Sequence, residues 1–261
     1  MKTVYYPHSL RDSVHGNIRL TDEEFAIINH SLFFRLHHIR QNSLLYFIFP
    51  CASHTRFEHS LGVVHIVDMI YESLLRNSQR AVEKDAISTK ENSLKNVGKA
   101  VPFHELDQKI IDDLLRIARI AALVHDVGHG PFSHTFDKFA PLCKQIAKII
   151  REDPKLNQII QLADLLDGSS KLKVEHEQMS CVLFAIIWDE ILGSVTKKDG
   201  NYFEHDKLPL IVAAVILGQP SLCPNADLIL NQIDDDVFLM YGKQLNAMTL
   251  PESANKSSTI A

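Results

Sequence analysis

The sequence is poor in cysteine, and the four cysteines that it has lie far apart. Cys51, Cys143, Cys181 and Cys223 form no Cys-x-x-Cys pair, so neither a zinc ribbon nor a disulfide framework is indicated. Reduced, unpaired thiols are typical of the cytosol, and we therefore expect a cytoplasmic protein.

Long hydrophobic runs are also missing. The most apolar segment, Leu208 to Leu217, is too short to span a bilayer, and the first residues contain no apolar core of a signal peptide. We expect no membrane segment, and we interpret this run as a buried helix started by Pro209 and stopped by Gly218.

Basic residues do not outnumber acidic ones: 27 Lys and Arg stand against 32 Asp and Glu, which gives a net charge of −5. Binding to a nucleic-acid polymer usually needs a basic surface, so a small substrate is favoured, although a local basic patch could still hold phosphates. The 261 residues are 46% hydrophobic and 23% charged, which is ordinary for a globular chain with a buried core.

Helical periodicity dominates the remaining pattern. Val63, Val67, Ile70 and Leu74 recur at helical spacing, which places His59 in the first turns of that helix. A second helix carries two apolar stripes and should be central in the fold; the stripes are Ile110, Leu114, Ile117, Ala121 and Val124, and Ile111, Leu115, Ala118 and Ala122. The sequence therefore predicts an all-α fold.

No internal repeat and no domain boundary are found. We predict one domain over residues 1–249, with insertions or loops at 77–106 and 164–174, because these polar stretches lack periodicity. Residues 250–261 are predicted to form a flexible tail.

Histidine is abundant, with 14 residues, and three of them lie in the segment His125 to His134. An adjacent His125-Asp126 pair offers one neutral nitrogen and one anionic oxygen to a divalent ion. Gly128 and Gly130 are expected to let the backbone turn sharply, so that the later histidines face the same space. The pattern predicts a metal and phosphate site rather than an incidental histidine-rich helix end.

Four colinear segments carry a family resemblance: Asp12 to Gly16, Phe49 to Val63, His125 to His134 and Glu175 to Gln178. Together they resemble the HD-domain superfamily and, within it, the deoxynucleoside triphosphate triphosphohydrolases. The resemblance implies an all-helical HD-domain core that hydrolyses dNTPs to deoxynucleoside and tripolyphosphate at one essential divalent ion.

Metal ligands are also implied by the resemblance. They are His59, His125, Asp126 and Asp236. The mixed nitrogen and oxygen ligands are compatible with Mn, Fe, Zn or Mg. For Asp236, the last of three consecutive aspartates, a solvated acidic helix face is the alternative interpretation.

The catalytic and substrate residues are implied in the same way. The residues that match the family's side chains around the phosphates are His129, His134, Asp137 and His176. His134 would donate a proton to the leaving oxygen, oriented by Asp137 one helical turn later. The substrate residues are Arg56 for a phosphate, Gln41 for the deoxyribose 3′-hydroxyl, and Glu177 as a partner of the neighbouring groups.

One departure from the family pattern keeps two alternatives open. Where the family has a Lys, a Tyr and an Arg-Asp pair, this chain has Val237, Met240 and Lys243-Gln244. The alternatives are an HD phosphohydrolase acting on nucleoside monophosphates or other phosphoesters, and a catalytically weak nucleotide-binding regulatory protein. Each has a small-molecule nucleotide or phosphoester as its partner, and each is compatible with a homo-oligomer.

Overall fold

The computed structural model describes residues 4–88, 108–132, 138–192 and 205–223, and within these ranges the chain is mostly helical. The α-helices are α1 (Asp22–Asn29), α2 (Ser31–Phe34), α3 (Arg56–Ser88), α4 (Gln108–Val124), α5 (Cys143–Glu152), α6 (Ile160–Asp167), α7 (His176–Ile191) and α8 (Leu208–Leu217). Short 3₁₀ turns cover Arg35–His38, Leu45–Phe47, Pro154–Ile159, His205–Lys207 and Pro220–Leu222. This architecture confirms the predicted helical core.

A small hairpin precedes the helices. Strands β1 (His8–Asp12) and β2 (Gly16–Leu20) pair antiparallel, with Asp12 opposite Gly16. Gly16 has a φ of 75°, a left-handed conformation that glycine adopts without steric cost. The Asp12 carboxylate accepts the N–H groups of Val14 and His15 at 2.9 and 2.8 Å. Helical periodicity did not predict this hairpin.

Helix α4 lies at the centre, as its two apolar stripes predict. It packs against α3, α7 and α8, and Ile120, Leu123 and Val124 near its end are completely buried. The main hydrophobic core joins these helices to α1, and a second cluster joins α5 and α6 to α7. Burial on several sides fixes the position of α4, and therefore the position of the residues that follow it.

Helix α4 also contains a buried cation. Arg119 is 1% exposed, and its guanidinium donates to both oxygens of Glu24 at 2.7 and 2.8 Å and to Asp68. Burial lowers the pKa of Arg119, but the hydrogen bonds to Glu24 and Asp68 outweigh burial and raise it. These ion pairs connect α4 to α1 and α3. They also neutralise the Arg119 charge, which would otherwise be buried without a partner in the core.

The helix ends follow the sequence signals. Thr21 and Glu24 form the reciprocal capping box at the start of α1, with bonds of 2.9 and 3.3 Å. Helix α8 ends at Gly218, which has a φ of 61°. No described helix combines the length and the apolar character that a membrane span requires.

Helices extend into both of the predicted loops. Helix α3 continues to Ser88, although a loop was predicted from residue 77, and α6 continues to Asp167, although a loop was predicted from residue 164. Residues 77–88 are rich in Ala, Gln, Arg, Glu and Lys, which favour helix even where no apolar face requires one. The remainder of the predicted loop 77–106 lies outside the described residues, as do the predicted tail and the last part of the domain.

Candidate metal centre

Helix α4 ends at Val124, and the residues that follow form a turn that packs against the first half of α7. Ser180 of α7 holds this turn, because its Oγ donates to the His125 carbonyl at 2.6 Å and accepts the Gly128 N–H at 2.7 Å. Arg35 holds it from the other side, donating to the carbonyl of His129 at 2.7 Å and to that of Val127. Four hydrogen bonds therefore fix the backbone on which the candidate ligands are carried.

Gly128 is needed here for a reason that the sequence did not reveal. A Cβ at this position would lie 2.1 Å from the His176 carbonyl oxygen and 2.5 Å from the Ser180 nitrogen. The predicted turn is present at residues 125–128, but among the described glycines only Gly16 and Gly218 have a positive φ, so Gly128 is not needed for a left-handed backbone conformation. The missing side chain instead allows the turn to touch the backbone of α7.

Three predicted ligands meet at this turn. His59, in the first turn of α3, has its Nε2 3.6 Å from Asp126 Oδ2, and His125 has its Nε2 3.4 Å from Asp126 Oδ1. The Nδ1 of His125 lies 2.7 Å from the Ala122 carbonyl, which assigns its proton and leaves the lone pair on Nε2.

The charge of Asp126 is fixed by its neighbours. Burial raises the pKa of this carboxyl, but His125 and Arg56 outweigh burial and lower it to about 2. Arg56, 2% exposed at the start of α3, donates from Nη1 to Asp126 Oδ2 at 2.5 Å. In His59, burial lowers the pKa, so a neutral imidazole faces an ionised carboxylate.

These donors fit a divalent ion. An ion with bond lengths of roughly 2.1 Å in tetrahedral geometry separates its ligand atoms by about 3.4 Å, close to the two distances from Asp126. His59, His125 and Asp126 each place a ligand atom within 4.8 Å of the other two. The imidazoles are 32% and 29% exposed, which leaves one side open to water or a phosphate oxygen.

A second group of donors shares the same carboxylate. The Nε2 of His129 lies 3.5 Å from Asp126 Oδ1, and the ring of His129 stacks on that of His176 with centroids 3.7 Å apart. His176 is the first residue of α7, and its Nε2 lies 3.1 Å from Glu177 Oε1. Helix α7 thus brings both of its predicted site residues to the turn.

Gln41 lies next to the start of α3. Its backbone N–H donates to the His54 carbonyl at 3.1 Å, beside the bridge between Arg40 and Thr55. Its side-chain oxygen is buried and accepts no hydrogen bond from the described part of the chain. A buried acceptor without a partner is costly to the folded state.

Eight of the eleven predicted site residues are placed by the structure. His134, Asp137 and Asp236 lie outside the described residues. Sequence reasoning missed Arg35 and Ser180, because each forms hydrogen bonds with the backbone of a distant segment and no local motif indicates such a contact. It also did not predict that Arg56 would bind Asp126.

Comparison with known proteins gives the following matches. Residues 56–171 match the sequence model of the HD domain. The deoxynucleoside triphosphate triphosphohydrolase SAMHD1 homolog of Dictyostelium discoideum is 30% identical over 248 residues, which are 90% of this chain and 42% of that protein. Human deoxynucleoside triphosphate triphosphohydrolase SAMHD1 is 32% identical over 174 residues, 66% of this chain and 23% of that protein.

A viral relative has a similar level of identity. The putative HD domain-containing protein L394 of Acanthamoeba polyphaga mimivirus is 38% identical over 138 residues, 52% of this chain and 27% of that protein. The chain thus spans less than half the length of each of these three relatives.

Proposed function

We propose that this chain, whose residues 56–171 match the HD domain and which resembles the deoxynucleoside triphosphate triphosphohydrolases, hydrolyses dNTPs with a divalent ion. One observation carries the proposal: His59 from the start of α3, and His125 and Asp126 from the turn after α4, converge with ligand-like spacing. An ion held there supplies Lewis-acid activation of a water molecule and a phosphate oxygen.

The surrounding residues bind and orient the substrate. Arg56 and Asp126 neutralise each other, which holds the carboxylate so that Oδ1 faces His125 and His129. His129 and His176 present ring nitrogens to the phosphates, and the N-terminal end of α7 favours negative charge. Gln41 is the proposed partner of the deoxyribose 3′-hydroxyl, and support for this role comes from the sequence resemblance.

The reaction consumes one water molecule. Its oxygen forms a bond to the α-phosphorus, the bond from that phosphorus to O5′ breaks, and tripolyphosphate is released. A proton passes to O5′ of the departing deoxynucleoside, and His134, oriented by Asp137, is its proposed donor. Asp236 is the proposed fourth ligand; support for these three residues comes from the sequence resemblance alone.

The test is ³¹P NMR of the purified protein with Mn²⁺ and the four dNTPs. We expect tripolyphosphate from the wild type and none from His125→Ala. The matched control is His65→Gln, which changes another half-buried histidine on α3 and should retain the activity. Equal melting temperatures for the three proteins would show that the loss is not caused by unfolding.

A second candidate function follows from the residues after Asp236, where the family's Lys, Tyr and Arg-Asp are replaced. A nucleoside monophosphate or another phosphoester would then be the substrate, with orthophosphate as the product. Orthophosphate from a deoxynucleoside monophosphate, with dNTPs left intact, would replace our proposal by this one.

A further inference from the structure

His30 lies between α1 and α2 and forms a hydrogen bond with each of its ring nitrogens. Its Nδ1 accepts the N–H of Leu32 at 3.2 Å, which caps the first turn of α2. Its Nε2 lies 2.9 Å from Oε2 of Glu190, near the end of α7. A ring nitrogen that accepts an N–H carries a lone pair, so the proton of the neutral ring is on Nε2 and is donated to Glu190. The cap of α2 therefore requires a neutral His30.

A second proton on His30 would change these two bonds in opposite directions. An imidazolium has an N–H on both nitrogens, so Nδ1 would no longer accept the N–H of Leu32. The bond to Glu190 would strengthen, because the carboxylate would then face a positive charge. Helix α7 would thus hold the ring of His30 while the cap of α2 is lost.

Few charged groups face this histidine. Glu190 of α7 is one, and Lys155 of the turn Pro154–Ile159 donates to the other oxygen of Glu190 at 3.3 Å. Within the described part of the chain, no other charged side chain is bonded to the ring of His30. The hydrogen bonds from His30 and Lys155 lower the pKa of Glu190, so its carboxylate stays ionised in mildly acidic solution.

Arg35 connects α2 to the candidate metal centre. It directly follows α2, and its guanidinium donates to the carbonyls of His129 and Val127 in the turn that carries Asp126. No described carboxylate pairs with this guanidinium, so its position depends on where α2 places it and not on an ion pair. The cap at His30 and the hydrogen bonds of Arg35 therefore lie at the two ends of the same short helix.

We propose that His30 is a positioning residue for the metal centre, acting through α2 and Arg35, and that its protonation weakens metal binding in mildly acidic solution. The proposal rests on the metal centre of the proposed function but not on its substrate. Histidine is the side chain that ordinarily changes charge between pH 5 and 8. When the cap is lost, fewer molecules hold Arg35 in place, and the apparent metal affinity falls with that fraction.

The test measures the dissociation constant of Mn²⁺ for the full chain at a mildly basic and a mildly acidic pH, about 8 and about 5.5. The ligand histidines also titrate in this range, so the quantity compared is the ratio of the dissociation constants of two proteins at the same pH. The reference protein is His30→Asn, because an asparagine oxygen caps a helix without titrating. We expect a ratio of wild type to His30→Asn of about 1 at the basic pH and of about 5 at the acidic pH, the factor typical of one lost cap.

Two further variants separate positioning from a general effect on folding. His30→Ala lacks the cap at every pH, so it should bind Mn²⁺ about fivefold more weakly than His30→Asn at both pH values. Glu190→Gln keeps an acceptor for Nε2 but removes the negative charge that favours an imidazolium, so the fall in affinity should move to lower pH. Circular dichroism at each pH checks that all four proteins are folded.

Three results would each overturn the proposal: a ratio of wild type to His30→Asn that does not change with pH, equal affinities of His30→Ala and His30→Asn, or an unshifted pH profile in Glu190→Gln. Each of these results leaves the metal centre and the proposed function standing. No Mn²⁺ binding by the wild type at the basic pH would overturn the metal centre and this proposal together.

Discussion

Ser180 Oγ accepts the N–H of Gly128 at 2.7 Å while donating to the carbonyl of His125 at 2.6 Å. One buried hydroxyl therefore fixes both ends of the turn that carries Asp126. Because the positions of His125 and Asp126 depend on this backbone, a residue that touches no substrate can control metal affinity.

Replacing Ser180 by alanine tests this link. Ser180→Ala leaves a buried N–H and a buried carbonyl without their partner, which should cost about 1–3 kcal/mol of unfolding free energy. Disturbing a group that orients a ligand typically weakens metal binding by roughly 10-fold or more. Urea denaturation and Mn²⁺ titration measure the two effects. Ser73→Ala, at a half-buried serine whose hydroxyl donates only within α3, is the control and should change neither. Unchanged Mn²⁺ affinity in Ser180→Ala would contradict the positioning role.

Gly128→Ala should be more damaging. The added Cβ would meet backbone atoms at 2.1 and 2.5 Å, which cannot move without separating the turn from α7. We expect a loss of about 3 kcal/mol or more in the free energy of unfolding. Gly168→Ala is the control, because its nearest atom would be 3.5 Å away and its φ of −80° suits alanine. Equal melting temperatures for the two variants would argue against close contact at Gly128.

The buried Arg119 provides a third prediction. Arg119→Met removes the partner of Glu24 and leaves a carboxylate in the core, which typically costs about 3–5 kcal/mol. Arg151→Met breaks an exposed interaction with Asp164 and Asp167 and should leave the unfolding midpoint unchanged. Chemical denaturation measures the unfolding midpoint of each variant. A similar midpoint for both variants would show that the Arg119 pairs do not stabilise α4.

Thiol reactivity tests the packing. Cys51 is exposed, whereas Cys143, Cys181 and Cys223 are buried. Burial raises the pKa of Cys181, and it raises that of Cys223 to about 11, so neither forms thiolate at pH 8. We expect one thiol to react rapidly with a disulfide reagent in the native protein and four to react after denaturation. Rapid reaction of a second thiol under native conditions would contradict the packing around α7.

The sequence predicts much of the helical core because its signals are local. The apolar stripes of α4 need only helical spacing, and the capping box of α1 spans four adjacent residues. The buried position of Arg119 depends on Glu24 and Asp68, far away in the chain, and no periodicity reveals such a pairing. The hairpin was missed because only Leu10, Ile18 and Leu20 carry its apolar face.

In the candidate site, too, some residues can be predicted from the sequence and others only from the folded structure. His59, His125 and Asp126 carry their chemistry in their side chains, so the sequence could name them and the structure brings them together. Arg35 and Ser180 act by binding backbone atoms of another segment, and the need for Gly128 comes from the backbone of α7. Contacts of this kind exist only in the folded chain.

The most direct test of the central claim is hydrolysis of a dNTP in H₂¹⁸O, followed by ³¹P NMR and mass spectrometry. Attack of water on the α-phosphorus predicts one ¹⁸O atom in a terminal phosphate of tripolyphosphate and none in the deoxynucleoside. Label in orthophosphate or pyrophosphate, or no phosphorus product at all, would contradict a triphosphohydrolase centred on His59, His125 and Asp126.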